Sequence, residues 1–208
     1  VQINNNCSGT IIQSKRDNES GEVTTLILSA AHCVSNKDRE QFIDIPVYQE
    51  NEVVLRKRYS AIVLGSYYKA DLALFRLKDR NTFFERVSKV APEKTVLYMG
   101  EDVVSVGHPL GGVLTVTYGL FGSVETSDFA KPGMTYYRAT PDIGPGSSGG
   151  GLYHQNAAGD WELIGVTTAG ARGFPFIALY TKLSDIRDYL KVAAPEVVGV
   201  EGPANGGL

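Results

Sequence analysis

The chain consists of many short runs of β-forming residues separated by turn-forming ones, and this pattern limits the folds open to it. The runs are rich in Val, Ile, Thr, Leu and Tyr, and 23 glycines and 9 prolines punctuate the 208 residues. Short strands at this spacing predict an all-β barrel or sandwich. The predicted strands are Gly9–Ile12, Val23–Leu28, Glu52–Leu55, Ala61–Val63, Leu72–Leu77, Val103–Val106, Leu114–Tyr118, Gly122–Glu125, Tyr136–Ala139, Leu163–Thr167 and Ile177–Tyr180.

One helix is predicted at Ser184–Lys191, where the apolar residues share a face and the first serine can cap the start. The strands before it fall into two groups that separate near Ala91–Glu101. We therefore expect an N-terminal barrel domain at 1–95 and a second barrel domain at 96–193 that ends in this helix. The Gly/Pro-rich segment 194–208 has little to bury and is expected to be a flexible tail.

Composition excludes several classes of function. A formal net charge of −3 leaves no basic field suited to nucleic acid, and the basic run at 56–58 is interpreted as a solvated strand edge or turn. No apolar stretch approaches the roughly 20 residues that span a bilayer. The chain begins at Val1 rather than Met and shows no signal peptide, so we expect a processed or excised fragment.

The chain has two cysteines, Cys7 and Cys33. As residues alone they could be reduced core thiols, a disulfide or, with His32, half of a metal site. The metal interpretation is disfavoured because His108 and His154 are remote in sequence and no Cys-x-x-Cys spacing exists. We therefore expect no metal and no cofactor.

Three segments, in the order His, Asp, Ser, carry the parts of an activated serine nucleophile. Ser148 lies in Gly-Pro-Gly-Ser-Ser-Gly-Gly (144–150), His32 follows an apolar strand in Ala-Ala-His-Cys, and Asp71 begins Asp-Leu-Ala-Leu. Serine is a weak nucleophile until a base takes its proton, and a histidine oriented by an acid can do so. Each segment alone has a simpler explanation, as a core histidine, a turn carboxylate or a glycine-rich turn. Together they predict a hydrolase site.

Glycines around Ser148 favour the same chemistry. Gly146 has no Cβ, so its backbone can direct its own amide and that of Ser148 at one point, as an oxyanion requires. The sequence 146–150 also fits Gly-x-Ser-x-Gly, the nucleophile motif of α/β-hydrolases. That fold needs the order serine, acid, histidine, whereas only His154 follows Ser148 and no acid lies between them. The α/β-hydrolase interpretation is therefore rejected.

Four motifs resemble those of the trypsin-like serine proteases of the chymotrypsin fold. They are Cys-Ser-Gly-Thr-Ile-Ile (7–12), Leu-Ser-Ala-Ala-His-Cys (28–33), Asp-Leu-Ala-Leu (71–74) and Gly-Ser-Ser-Gly-Gly (146–150). The resemblance runs from about Cys7 to Leu190, and Gly-His-Pro-Leu-Gly (107–111) is closer to bacterial, viral or high-temperature-requirement members than to animal trypsins. It implies two six-stranded antiparallel Greek-key barrels, an active site in the cleft between them and a short C-terminal helix.

The same resemblance implies a role for each site residue. It makes His32 the general base, Asp71 the residue that orients it and Ser148 the nucleophile, with the amides of Gly146 and Ser148 as the oxyanion hole. These roles belong to the family and are carried over to the matching positions.

Other family features are kept or lost. A disulfide between Cys7 and Cys33 is implied by the half-cystines that flank the histidine in secreted members. Ser147 stands where animal trypsins have the aspartate that receives a new N-terminus, so we do not expect activation by a buried N-terminal ion pair. The cystines that brace the second barrel of trypsins are absent. Since only six residues precede Cys7, the first strand of the first barrel is expected to be short or missing.

A specificity pocket is also implied. Asp142 lies six residues before Ser148, the spacing of the aspartate at the pocket floor of trypsins, and Gly170 matches a small wall position. Both favour Lys or Arg before the scissile bond. Ala178 stands where trypsins have a glycine and narrows the pocket, so a small or aliphatic side chain before the scissile bond is also possible. Thr167 stands where glutamate-specific relatives have a histidine, which disfavours glutamate at that position. The substrate backbone is expected to pair with Thr167, Thr168, Ala169 and Gly170.

The expected function is a monomeric serine endopeptidase that acts on protein or peptide substrates through an acyl-enzyme. We expect no nucleic-acid or membrane partner. The alternatives are a catalytically silent binding protein, an ester hydrolase or acyl transferase on the same fold, and a viral polyprotein-processing protease with narrow specificity. The extended strand at 167–170 favours peptides. The expected location is extracellular or periplasmic, or the host cell for a viral polyprotein.

Overall fold

The computed structural model describes residues 1–34, 40–126, 132–171 and 176–199. Its strands are β1 (Gln2–Ile3), β2 (Cys7–Ser8), β3 (Thr10–Arg16), β4 (Val23–Ser29), β5 (Gln41–Gln49), β6 (Glu52–Tyr67), β7 (Leu72–Leu77), β8 (Asp102–Gly107), β9 (Thr115–Thr126), β10 (Thr135–Ala139), β11 (Gly151–Gln155), β12 (Trp161–Gly170) and β13 (Ala178–Lys182). The α-helix α1 (Leu183–Ala193) follows β13, and short 3₁₀ turns lie at Ala31–Cys33, Pro109–Gly111 and Pro195–Val198. Within these ranges, no helix has the length and apolar character needed to cross a bilayer.

The first seven strands form one antiparallel sheet in the order β2-β1-β5-β6-β7-β4-β3. β2 and β3 lie at opposite edges of this sheet, yet Gly9 alone separates them in the chain. The sheet must therefore curl until its edges meet. Gly9 fits this closure because a Cβ atom there would lie 2.8 Å from Cγ2 of Ile27 on β4.

The last six strands form a closed antiparallel barrel in the order β10-β13-β12-β11-β8-β9. With the curled sheet, this barrel confirms the predicted two-barrel β architecture and its C-terminal helix. The first half has seven hydrogen-bonded strands rather than six, and two of them, β1 and β2, are only two residues long. The expectation of a short first strand is thus confirmed.

β4 lies between two apolar clusters, which explains the uninterrupted apolar run Leu26-Ile27-Leu28. Because successive side chains of a strand point to opposite faces, Ile27 packs with Phe75 inside the curled sheet. Leu28 packs on the other face, in a cluster that also contains Leu163 of the barrel. Leu28 is fully buried, and burial of such a side chain contributes about 1.5–3 kcal/mol. The two halves therefore share a core.

Every predicted strand overlaps an observed one, but two pairs are merged and four strands were missed. The predicted strands at 52–55 and 61–63 are parts of the single strand β6, and those at 114–118 and 122–125 are parts of β9. The missed strands are the two-residue β1 and β2 and the longer β5 and β11. In β5, Asp44 is buried but bonded to Arg58 on β6, with two contacts of 2.8 Å, so a charged residue is buried on the face opposite to the core residue Ile43.

The predicted tail is wrong at its start. Ala194 is buried, and Val197 and Val198 pack against the shared core. A guanidinium nitrogen of Arg187 on α1 also donates to the carbonyl oxygen of Val198 at 3.2 Å. These apolar contacts and this hydrogen bond fix residues 194–198 against the rest of the structure. Residues 200–208 lie outside the described part of the chain.

Candidate active site

His32 and Asp71 form a directly bonded pair at the end of neighbouring strands. The 3₁₀ turn Ala31–Cys33 follows β4, and Asp71 immediately precedes β7, which is hydrogen-bonded to β4. Nδ1 of His32 lies 2.8 Å from Oδ2 of Asp71, and the main-chain amide of His32 donates to Oδ1 at 3.0 Å. Asp71 therefore fixes both the backbone and the ring of the histidine.

The environment keeps the Asp71 carboxyl ionised. Its side chain is 2% exposed, against 44% for His32. Burial tends to raise the pKa of Asp71, but hydrogen bonds from His32 and from the Thr168 hydroxyl outweigh it, and the pKa lies below its usual value. An ionised Asp71 accepts the proton on Nδ1 of His32, so the lone pair of the ring is on Nε2.

The loop that carries Ser148 is tied to the histidine turn from the other half of the molecule. The amide of Ser8 donates to the carbonyl oxygen of Ser148 at 2.7 Å. Sγ of Cys33, next to His32 in the chain, lies 3.7 Å from that oxygen. Cys33 is joined to Cys7 by a disulfide bond, which confirms the predicted pairing. Half-buried Ser148 and the His32–Asp71 pair are thus held close together.

The disulfide also decides how the Cys7, His32 and Cys33 cluster can be used. Their sulfur and nitrogen atoms lie within 4.8 Å of one another, a spacing that could hold a metal. Both sulfurs are consumed by the disulfide, so neither is available as a thiolate ligand. The cluster is a structural anchor beside the histidine.

The Gly146 and Ser148 amides are available as donors. Gly146 has φ of +96° and Gly149 has φ of +83°, backbone conformations that favour glycine. A Cβ atom at Gly146 would lie 2.6 Å from the carbonyl oxygen of His108, so a side chain is excluded there. Within the described ranges, neither the Gly146 nor the Ser148 amide donates to another protein group.

The strand predicted to receive substrate lies beside this loop. Thr167 pairs with it in both directions, since Gly149 donates to its carbonyl oxygen and its own amide donates to Gly150, each at 2.8 Å. The Thr168 hydroxyl donates to Oδ2 of Asp71. Thr168 was predicted to lie on the substrate strand, but its contact with Asp71 was not predicted. The two residues are 97 positions apart, and no local sequence pattern links them.

Asp142 lies at the surface, where it lines a small cavity with Thr117 and Ser147. Asp142 is exposed, and its carbonyl oxygen accepts a hydrogen bond of 2.8 Å from the hydroxyl of Thr117 on β9. An exposed Asp142 differs from the buried carboxylate that the resemblance implies at a pocket floor, so basic specificity stays a prediction. The wall positions are apolar instead: a Cβ atom at Gly170 would lie 3.1 Å from Cδ1 of Ile143, and fully buried Ala178 pairs with Gly170.

Residues 7–166, more than half of the chain, match the family described as trypsin-like peptidase domain. The chain belongs to the trypsin-like peptidase family. The resemblance predicted from the motifs is therefore confirmed.

Bacterial members of the trypsin-like peptidase family are among its relatives. A probable serine protease do-like of Buchnera aphidicola subsp. Acyrthosiphon pisum (strain APS) is 34% identical over 114 residues, which are 54% of this chain and 22% of the relative. A probable periplasmic serine endoprotease DegP-like of Chlamydia pneumoniae is 29% identical over 122 residues, 56% of this chain and 22% of the relative. The chain thus spans about a fifth of the length of these relatives. They support the prediction of a serine endopeptidase of bacterial type.

Solved structures agree with the trypsin-like fold. The protease domain of MamO from Magnetospirillum magneticum, in its apo form, aligns with a TM-score of 0.67 at 20% identity, over 91% of this chain and 94% of that one. The HtrA-type protease AlgW with a decapeptide aligns with a TM-score of 0.67 at 18% identity, over 92% of this chain and 52% of that one. At these identities the likeness concerns the fold.

Proposed function

We propose that the protein is a serine endopeptidase that uses Ser148 as nucleophile, His32 as general base and Asp71 as the residue that orients it. The observation that carries the proposal is the 2.8 Å contact between His32 Nδ1 and a buried, ionised Asp71, next to a loop that presents Ser148. A buried carboxylate that fixes the tautomer of a solvent-facing imidazole is the arrangement that base catalysis requires.

The reaction proceeds in two acyl-transfer steps. The Ser148 hydroxyl oxygen attacks the scissile carbonyl carbon while Nε2 of His32 takes the hydroxyl proton. The carbonyl electron pair moves onto oxygen, where the unpaired amides of Gly146 and Ser148 stabilise the charge. The tetrahedral intermediate collapses, the C–N bond breaks, and the leaving amine takes the proton from His32. Water then repeats the sequence on the ester and releases Ser148.

Extended peptides are the proposed substrates. β12 is paired with β11 up to Val166 and with the nucleophile loop at Thr167. Beyond that point one edge of the strand, at 168–170, has no partner strand within the described ranges. An extended peptide can add to such an edge through main-chain hydrogen bonds. DegP-like relatives are named periplasmic, which supports a periplasmic or extracellular location.

A small or aliphatic side chain before the scissile bond suits the pocket walls. Ile143 lies against Gly170, and Ala178 adds a second small apolar wall. An ammonium or guanidinium group buried there would need an acidic partner. Asp142 is exposed and does not supply it.

A peptide-library digest read by mass spectrometry tests both parts of the proposal. The wild-type protein is expected to cleave after small aliphatic residues, and Ser148→Ala to cleave nothing. Asp142→Ser is expected to keep the wild-type preference, whereas Ile143→Ala should shift it toward larger apolar residues. Cleavage by Ser148→Ala would contradict the mechanism. A preference for Lys or Arg that disappears in Asp142→Ser would contradict the pocket assignment alone.

A further inference from the structure

Each carbonyl from Gly144 to Ser148 accepts a hydrogen bond. Two donors lie inside the loop itself: Ser147 donates to Gly144, and Gly150 donates to Ser147, each at 2.9 Å. The other three come from outside. Leu110 donates to Pro145 at 2.5 Å, the Ser8 hydroxyl donates to Gly146 at 2.7 Å, and the Ser8 amide donates to Ser148 at 2.7 Å. The loop is therefore oriented from behind by two remote segments.

These carbonyl bonds set the direction of the two amides proposed to form the oxyanion hole. In a trans peptide the C=O of one residue and the N–H of the next point in opposite directions. Fixing the carbonyl of Pro145 thus aims the Gly146 amide, and fixing that of Ser147 aims the Ser148 amide. The bond from Ser8 to the Gly146 carbonyl fixes the peptide plane that lies between them.

Gly146 is the residue at which such restraint is needed. Glycine loses more conformational freedom on folding than any other residue, and nothing in its own side chain keeps it at φ of +96°. The peptide plane before Gly146 is fixed by the bond from Leu110 to the Pro145 carbonyl, and the plane after it by the bond from Ser8 to the Gly146 carbonyl. Neither backbone torsion of Gly146 can therefore rotate freely. Without the Ser8 hydroxyl, one of the two planes loses its external bond.

The Ser8 hydroxyl is itself fixed in a single orientation. It accepts a hydrogen bond of 2.7 Å from the amide of His108 while it donates its one proton to Gly146. Ser8 and His108 are each 1% exposed, so solvent has little access to the hydroxyl or to the amide that it accepts from. Both the donor of His108 and the acceptor of Gly146 would be left unsatisfied if the hydroxyl were removed, which is costly for buried groups.

We propose that Ser8 is a positioning residue for catalysis: its hydroxyl links the 107–111 loop to Gly146 and holds the oxyanion hole in its active geometry. The inference rests on the proposed function, because it assumes that Gly146 and Ser148 stabilise an oxyanion. It gives a role to buried Ser8 and to the Gly-His-Pro-Leu-Gly loop (107–111).

The test compares Ser8→Ala with Ser14→Ala. Ser14 is a matched control because its hydroxyl also bridges a main-chain amide, that of Phe84 at 3.0 Å, and another oxygen, that of Thr25 at 3.1 Å. Loss of one oxyanion donor costs about 10²–10³ in kcat, and a donor that is only misaligned should cost about 10–100-fold. We expect kcat of Ser8→Ala to fall about 10–100-fold while its KM stays within about twofold of wild type. Both kcat and KM of Ser14→Ala should equal those of the wild type.

Hydrogen exchange read by mass spectrometry gives a second measurement that does not depend on activity. Exchange in peptides covering 144–150 is expected to be faster in Ser8→Ala than in wild type, and unchanged in Ser14→Ala. Wild-type kcat in Ser8→Ala would overturn the inference while the peptidase function stood. If the wild type cleaves no peptide, the proposed peptidase function fails. Independently of activity, equal hydrogen exchange at 144–150 in Ser8→Ala and wild type would overturn the positioning role of Ser8. Should Ser8→Ala fail to fold, Ser8→Gly is read by the same two measurements.

Discussion

At the scale of single residues, Asp71 shows how the site combines strain with charge. Its φ is +56°, a conformation that aspartate tolerates better than most residues but that still costs about 1–2 kcal/mol. The amide of Ala31 donates to its carbonyl oxygen at 3.0 Å and helps to hold this turn. In this conformation the Asp71 carboxylate forms hydrogen bonds with both the ring and the main-chain amide of His32.

Asp71→Asn keeps the shape and removes the charge, because asparagine also tolerates the left-handed conformation. We expect turnover to fall about 10⁴-fold, the loss known for the equivalent change in the trypsin family. The pKa of Asp71 is lowered in the folded protein, so its ionisation stabilises the fold at neutral pH, and this contribution is lost as the pH falls below about 4.

Urea denaturation between pH 7 and pH 3 measures the second effect. The urea concentration at the unfolding midpoint should fall more steeply on acidification for the wild-type protein than for Asp71→Asn. Asp142→Asn, which changes an exposed carboxyl, should follow the wild type. Parallel curves for wild type and Asp71→Asn would show that the bonded pair contributes nothing to stability.

At the scale of elements, the disulfide joins β2 to the 3₁₀ turn that carries His32. Cys7 and Cys33 are 26 positions apart and both are buried. Closing a loop of this length restricts the unfolded chain and stabilises the fold by about 3 kcal/mol on the chain-entropy account. Stability and the position of His32 therefore depend on the same bond.

The double variant Cys7→Ser/Cys33→Ser is expected to unfold at a lower urea concentration, with a loss of about 3 kcal/mol in the free energy of unfolding. Its turnover should also fall, since the histidine turn loses its anchor to β2. Reduced and oxidised wild-type protein provide the matched comparison without any mutation. Equal unfolding midpoints would contradict the stabilising role of the bond.

The elements also show how far sequence reasoning reaches. β4 and β7 were predictable because both faces are largely buried and each strand contains an apolar run, Leu26–Leu28 and Leu72–Phe75. β5 and β11 were not, because they place Asp44 and His154 at buried positions, where each side chain contacts a partner from a distant segment, Arg58 and Glu101 respectively. The exposure of Asp142 was not predictable either: its spacing from Ser148 matches trypsins, but spacing alone does not decide whether a side chain is buried.

At the scale of the whole molecule, the site exists because two sheets pack against each other. His32 and Asp71 belong to the curled sheet, whereas Ser148 and Thr168 belong to the barrel half. Bonds between the halves, from Thr168 to Asp71 and from Ser8 to Ser148, lie within the site itself. The shared core beneath them keeps the halves in register. The proposed catalytic site therefore depends on the packing of the two halves.

The central claim, that Ser148 is a nucleophile activated by His32, is tested most directly by locating a fluorophosphonate adduct. Wild-type protein is treated with diisopropyl fluorophosphate, and the modified residue is identified by peptide mapping and mass spectrometry. The account predicts one adduct, on Ser148, which is absent from Ser148→Ala and greatly slowed in His32→Ala. An adduct on another serine, or equal labelling of wild type and His32→Ala, would contradict it.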